Sequence, residues 1–156
     1  MIKFTVICKS NYWPARVKKI TSIIKKILKF KSDLKFSKAI TYNCNIILAD
    51  NNLIKKINYK FRKKNQPTDV LTFVSEIRKK NIKKFKICDI FISAEIIKKD
   101  AKRNNTTFYD HFTHILIHSF LHINGFNHIK NEDYYQMNKK ELLILKKLRI
   151  INPAFK

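Results

Sequence analysis

The chain has 156 residues, with 34 Lys and Arg against 11 Asp and Glu, a formal net charge of +23 at pH 7, and 45% hydrophobic residues. That apolar share supplies a real core and excludes wholesale disorder, and the length fits a single domain, 1–156. The cationic excess excludes basic proteins and free cations as favoured partners and points to polyanions: RNA, DNA or an anionic membrane. The wealth of Lys, Ile and Asn beside a single Gly has the look of an AT-rich genome. Codon bias of that kind explains Lys in place of Arg, but not the scarcity of carboxylates.

Residues 2–8 (IKFTVIC) are β-branched and roughly alternating, and predict a first strand. Pro14 suits the first turn of a helix, which Val17, Ile20, Ile24, Ile27 and Leu28 continue at helical spacing with lysines between them. A second strand is expected at 44–49 (CNIILA). Asp50 or Asn51 then caps a helix carrying Leu53, Ile54, Ile57 and Phe61. Pro67, Thr68 and Asp69 break that pattern before a strand at 70–74. A basic loop, 76–84, leads to a fourth strand at 85–93. Nine residues are too few for a helical crossover, so these two strands are expected to form an antiparallel hairpin. Ser93 caps a helix to about Arg103, and Thr106 or Thr107 opens another that ends at Gly125. This helix is apolar nearly all round and is expected to be buried. A last helix begins at Asn131 and ends before Pro153. The order implies an α/β (α+β) domain, a small mixed four-stranded sheet covered by about five helices.

Cys8, Cys44 and Cys88 lie in β-like stretches and are expected to be reduced, buried thiols. The opening residues lack the apolar core and small-residue cleavage site of a secretory leader, and no apolar run reaches membrane-spanning length. A cytoplasmic protein with no membrane partner is the expectation.

All five histidines, His111, His114, His118, His122 and His128, fall within eighteen residues. His118 and His122 are four apart, so they share a helix face about 6 Å apart along the axis. Gly125 ends the helix where the chain must reverse for His128 to return as a third ligand. Three imidazoles leave a fourth position open, as in a catalytic rather than a structural zinc site, and imidazole-held zinc lowers the pKa of water towards about 7. One Zn2+ per chain on His118, His122 and His128 is therefore expected. His114 is eight residues from His122, about 12 Å along the helix, too far to share that ion. It either orients His118 or touches substrate, with a partly buried core histidine as the alternative. His111 is expected at the surface.

The spacing H-x3-H-x2-G-x2-H equals that of the metzincin proteases, whose general base is the Glu after the first His. Here Ser119 holds that position and cannot take a proton from water at neutral pH. The segment HSFLHINGFNH, 118–128, resembles instead the H-G-x-L-H-L-x-G-Y-D-H signature of the YbeY endoribonucleases. Asn58, Tyr59 and Arg62, followed by QPTDVLTF at 66–73, are similar to that family's N-x-x-Y-R and P-T-D-V-L-S-F. CDIFIS at 88–93 is like its G-D-I-x-I-S, and Met137, Glu141, Leu145, Asn152 and Pro153 match its tail. Ser119 and Cys88 replace glycines, and Asn127 replaces an Asp, leaving only a neutral carbonyl to support the third ligand.

The resemblance implies a zinc-dependent endoribonuclease of single-stranded RNA. It further implies work on the 3′ end of small-subunit ribosomal RNA, with ribosome maturation and quality control, and the small ribosomal subunit as partner. Arg62, matched to the family's Arg, is the candidate catalytic residue, a fork for the phosphodiester's growing negative charge. His114 and Asn127 are candidates to support the ligands from behind. Asp69 is expected to hold its turn, and Glu132 and Asp133 to serve the first turn of the last helix. The basic loop 76–84 and the Lys-rich face of 18–31 are candidates to track RNA backbone. Tyr59 and Tyr109 are candidates to stack on bases, and Phe61 is expected in the core. The competing readings are a metzincin-like protease and a non-catalytic RNA-binding ribosome-assembly protein with a structural metal.

Overall fold

The computed structural model describes residues 1–78 and 84–151. Most of the basic loop, and the Asn152 and Pro153 of the tail motif, lie outside the described residues. Ten elements follow in order: strand β1 (Ile2–Cys8), a 3-10 turn (Pro14–Arg16), α1 (Val17–Leu28), β2 (Ile40–Ala49), α2 (Asn51–Arg62), β3 (Val70–Ile77), β4 (Lys84–Ser93), α3 (Ala94–Arg103), α4 (Phe108–Ile123) and α5 (Asn131–Lys147). The expected α+β class holds, with a four-stranded mixed sheet and five α-helices among the described residues. The chain forms two compact units, Met1–Val17 with Ser37–Ile96, and Lys18–Phe36 with Ile97–Lys156.

The first unit holds the sheet, in the order β1-β2-β4-β3. β1 runs parallel to β2 and β2 parallel to β4, while β3 is antiparallel to β4, as the short connection required. The two central strands, β2 and β4, are the most buried, and in β4 Cys88, Ile90 and Ile92 are buried at period two. Two boundaries differ from expectation. β2 begins at Ile40, because its polar first half pairs with β1 and β4 on both sides. β3 continues to Ile77, since Glu76 and Ile77 stay in register with Lys86 and Phe85. α2 packs Leu53, Ile54 and Ile57 against Ala49, Leu71, Phe73 and Phe91. Its cap is Asp50, which accepts from the Leu53 amide at 2.9 Å. The buried Asn58 donates from Nδ2 to Gln66 O at 2.8 Å, tying the helix end to the following loop. There Asp69 Oδ1 accepts from the Val70 amide at 2.7 Å and from Thr68 Oγ1 at 3.0 Å, the turn-holding role expected of it.

Two side chains depart from expectation in this unit. Phe61 is 58% exposed, touching Phe73 at 5.0 Å between ring centroids, because α2 turns its 54/57/58 face inward and leaves 61 at the rim. Cys8 is exposed, since it closes the outer strand β1, whereas Cys44 and Cys88 are buried register partners on β2 and β4. All three are free thiols.

The second unit is helical. α4 opens on Thr107, whose Oγ1 accepts from the Asp110 amide at 3.1 Å, and ten of its sixteen residues are buried. α5 packs beside it through Met137, Glu141, Ile144 and Leu145. No helix among the described residues is long and apolar enough to cross a membrane.

Asp50→Ala removes the side-chain acceptor of the Leu53 amide in the first turn of α2. It is expected to cost about 1 kcal/mol and lower Tm by about 2–4 °C, read by thermal melting.

Candidate metal centre

The site is built on the second unit. α4 carries His114, His118 and His122 at four-residue steps. After Ile123 the chain reverses through Asn124 and Gly125, whose φ of +91° lies in the region that favours glycine. An added Cβ at Gly125 would meet nothing within 4 Å, so the requirement is for backbone conformation and not for space. The turn is closed by the Gly125 amide donating to His122 O and the Phe126 amide to Leu121 O. It returns His128 to the ring pair, stacked on His118 at 5.3 Å between centroids and set edgewise to His122 at 5.0 Å.

One ligand atom from each of His118, His122 and His128 lies within 4.8 Å of the other two, so the triad can hold a metal ion. The nitrogens also face the right way. Nδ1 of His122 is 2.9 Å from Phe126 O, a pure acceptor, so that nitrogen carries the proton. Nδ1 of His118 is 2.6 Å from Glu141 Oε1 and donates likewise. Both Nε2 atoms are thereby left with lone pairs, and they point at one locus, 2.9 Å apart. This donor set fits an ion that prefers nitrogen ligands.

Glu141 is the residue whose role the sequence reading missed. It is 6% exposed, and its two oxygens divide between His118 and His114, with Oε2 at 2.7 Å from His114 Nε2. Of the two roles considered for His114, its contacts favour orientation, exerted through this carboxylate. Burial pushes the Glu141 carboxyl up, but hydrogen bonds from His114 and His118 outweigh that and hold it down at about 2. The available signal was its spacing: Met137, Glu141 and Leu145 share one apolar helix face, where a lone carboxylate needs a partner.

Burial, then the neighbouring His118, lower His122 to about 4, so its ring is neutral at pH 7 and needs no proton removed before it can ligate. Asn127 is exposed and its Oδ1 accepts from the Ile129 amide at 3.2 Å, which shapes the turn carrying His128. Ser119 is fully buried and its Oγ donates to Ile115 O at 3.0 Å. His111 is buried at 8% exposure, contrary to expectation, because it lies one turn before Ile115 on a covered face of α4. Arg62 is the exposed last residue of α2, in the first unit.

The profile of the family described as Endoribonuclease YbeY matches residues 6–149. An Endoribonuclease YbeY from Pelagibacter ubique is 41% identical over 149 residues, covering 94% of this chain and 95% of its own. That of Ehrlichia ruminantium (strain Gardel) is 35% identical over 155 residues, covering 98% and 94%. The solution structure of TM1509 from Thermotoga maritima aligns with a TM-score of 0.53, covering 96% of this chain and 92% of its own. At 22% identity that likeness is one of fold.

Glu141→Ala is expected to weaken metal binding by about 10–100-fold in a chelator competition, because His118 loses the acceptor that sets its tautomer. In the metal-free protein the same change is expected to cost roughly 3 kcal/mol at pH 7, the linkage value of a carboxyl held at about 2. Because the folded value lies below the unfolded one, this stabilisation is complete above about pH 4.5 and disappears towards pH 2. Denaturant titrations of both proteins across that interval should therefore converge.

Proposed function

The chain belongs to the YbeY endoribonuclease family, and on that premise we propose that it cleaves single-stranded RNA with one Zn2+ held by His118, His122 and His128. In this reading it is a hydrolase, acting as one domain over 1–156 in the cytoplasm. Its work is ribosomal RNA maturation at the 3′ end of the small-subunit RNA, and quality control on the small ribosomal subunit. The observation that carries the reading is the pair of Nε2 atoms 2.9 Å apart with both Nδ1 protons already committed.

Zinc bound there supplies Lewis acidity towards a phosphate oxygen and an attacking water. The protein's own groups do the rest. Glu141 orients His118 and, with both oxygens occupied, is not free to take a proton from water. His114 holds Glu141, and Asn127 shapes the turn that presents His128. Arg62 is assigned to the phosphate by its match to the family's motif, where a planar fork meets two oxygens as negative charge grows. The net charge of +23 favours the polyanion throughout, and a protein site of three ligands leaves room for substrate.

The protease reading fails on a specific observation: where its general base would stand is Ser119, buried and donating to Ile115 O. A structural metal would want a fourth protein ligand, and the cluster among the described residues has three.

His122→Ala is expected to lose most of the bound zinc and to abolish cleavage of single-stranded RNA, with casein untouched by either protein. Retained zinc in this variant, or RNA cleavage by chelator-stripped protein, would sink the proposed site.

Arg62→Ala and Arg62→Lys are expected to lower single-turnover cleavage about a hundredfold while zinc content stays normal and RNA affinity changes little, since dozens of other cations hold the polymer. Wild-type rates would make Arg62 a solvated surface residue.

A further inference from the structure

Beside the histidine cluster, within the helical unit, lies a cavity of about 230 Å3 whose lining includes His118, His128 and Glu141. Its composition is unlike the rest of the molecule. The chain has 34 Lys and Arg, yet among the described residues none lines this cavity, whereas two of its eleven carboxylates do, Asp110 and Glu141. Away from the histidines, where a phosphate would lie, this space offers no Lys or Arg to hold a second one and suits an uncharged group. The walls are largely apolar, with Ile115, Met137 and Leu145 contributed by α4 and α5, and the half-exposed aromatic side chain of Tyr134 is among them. Together these features suit a group that is apolar on its faces and hydrogen-bonding at its edge.

Asp110 supplies the reader for that edge. Glu141 is fully engaged with two imidazoles, but Asp110 has no side-chain hydrogen bond or ion pair among the described residues. It shares a face of α4 with His114 and His118, eight residues and so about 12 Å along the axis from the metal ligand His118. That separation suits a nucleotide whose phosphate lies at the histidines and whose base points away along the helix.

We propose that this cavity takes one unstacked nucleobase of the RNA, with Asp110 accepting hydrogen bonds from the donors on its Watson–Crick edge. The inference rests on the RNA-cleaving reading above and adds a specificity to it. A carboxylate favours bases that present amino donors. Guanine, with its N1–H and amino group side by side, meets both oxygens at once. Cytosine and adenine offer one amino group. Uracil offers a single imino N–H between two carbonyls that repel the carboxylate, and is excluded most. Enzymes that act on single strands can receive such a base without the cost of unpairing it.

The test uses free nucleosides, which carry no phosphate and so report the cavity independently of metal and cleavage. Guanosine, cytidine, adenosine and uridine are titrated into zinc-loaded and zinc-free protein, wild type, Asp110→Asn and Asp110→Ala, and followed by amide NMR shifts, with melting curves to verify folding. Guanosine is expected to bind about tenfold tighter than uridine, with shifts centred on α4 and α5, and both substitutions are expected to erase that preference. On a mixed-sequence single-stranded RNA, the same variants should flatten the base preference of the cleavage sites. Equal binding of all four nucleosides by wild type, or an unchanged preference in folded Asp110→Asn and Asp110→Ala, would overturn the inference, and RNA cleavage by the same samples would leave the nuclease reading standing. A guanosine preference without any RNA cleavage would uphold the cavity's assignment and remove the nuclease.

Discussion

The contact on which the site depends is the buried carboxylate of Glu141 between two imidazole rings. A carboxylate taken out of water is costly unless its oxygens are met by donors, and His114 and His118 meet one each. Each party constrains the others. The carboxylate holds both rings in fixed tautomers, and the rings keep the carboxylate ionised despite its burial. The consequence for chemistry is local and directional: the proton of His118 is fixed on Nδ1, so its remaining lone pair faces His122 and not solvent. The same contact joins α4 to α5, so ligand geometry and helix packing rise or fall together.

The second constraint is the turn at Gly125. His118 and His122 are aligned by the helix itself, but His128 can join them only if the chain reverses within three residues. A positive φ accomplishes that, and the Phe126 carbonyl exposed by the reversal is the acceptor that fixes His122. The backbone of the turn thus sets the tautomer of one ligand while it delivers another. The only glycine in the chain stands at this position.

The few acidic residues make sense in the same light. In a chain of net charge +23, several of the retained carboxylates serve defined local contacts. Asp50 caps α2, Asp69 holds its turn, Asp89 accepts from Asn45 across the central strands, and Glu95 accepts from the Asn51 amide. Glu132 and Asp133 sit in the first turn of α5, where negative charge is favoured. The positive excess is consequently a property of the surface, available to a polyanion, while the interior of the helical unit carries negative charge beside its histidines.

Much of this was legible in the sequence because it depends on near neighbours. Strand alternation, the caps at Asp50, Ser93 and Thr107, the hairpin of β3 and β4, and the H-x3-H-x2-G-x2-H spacing are all written within a few residues, and helix geometry converts that spacing into a shared face. What the sequence could not specify were contacts between segments distant along the chain. Glu141 is 23 residues from His118, and only the packing of α5 on α4 brings its oxygens to the rings. His111 and Phe61 were misplaced for the same reason, since inward and outward faces of a helix are decided by the neighbour that covers it. The full length of β2 and β3 likewise followed from partner strands. Local pattern determined which residues can ligate a metal, and tertiary packing decided which way each ring nitrogen faces, because a tautomer is set by an acceptor that the chain must fold to supply.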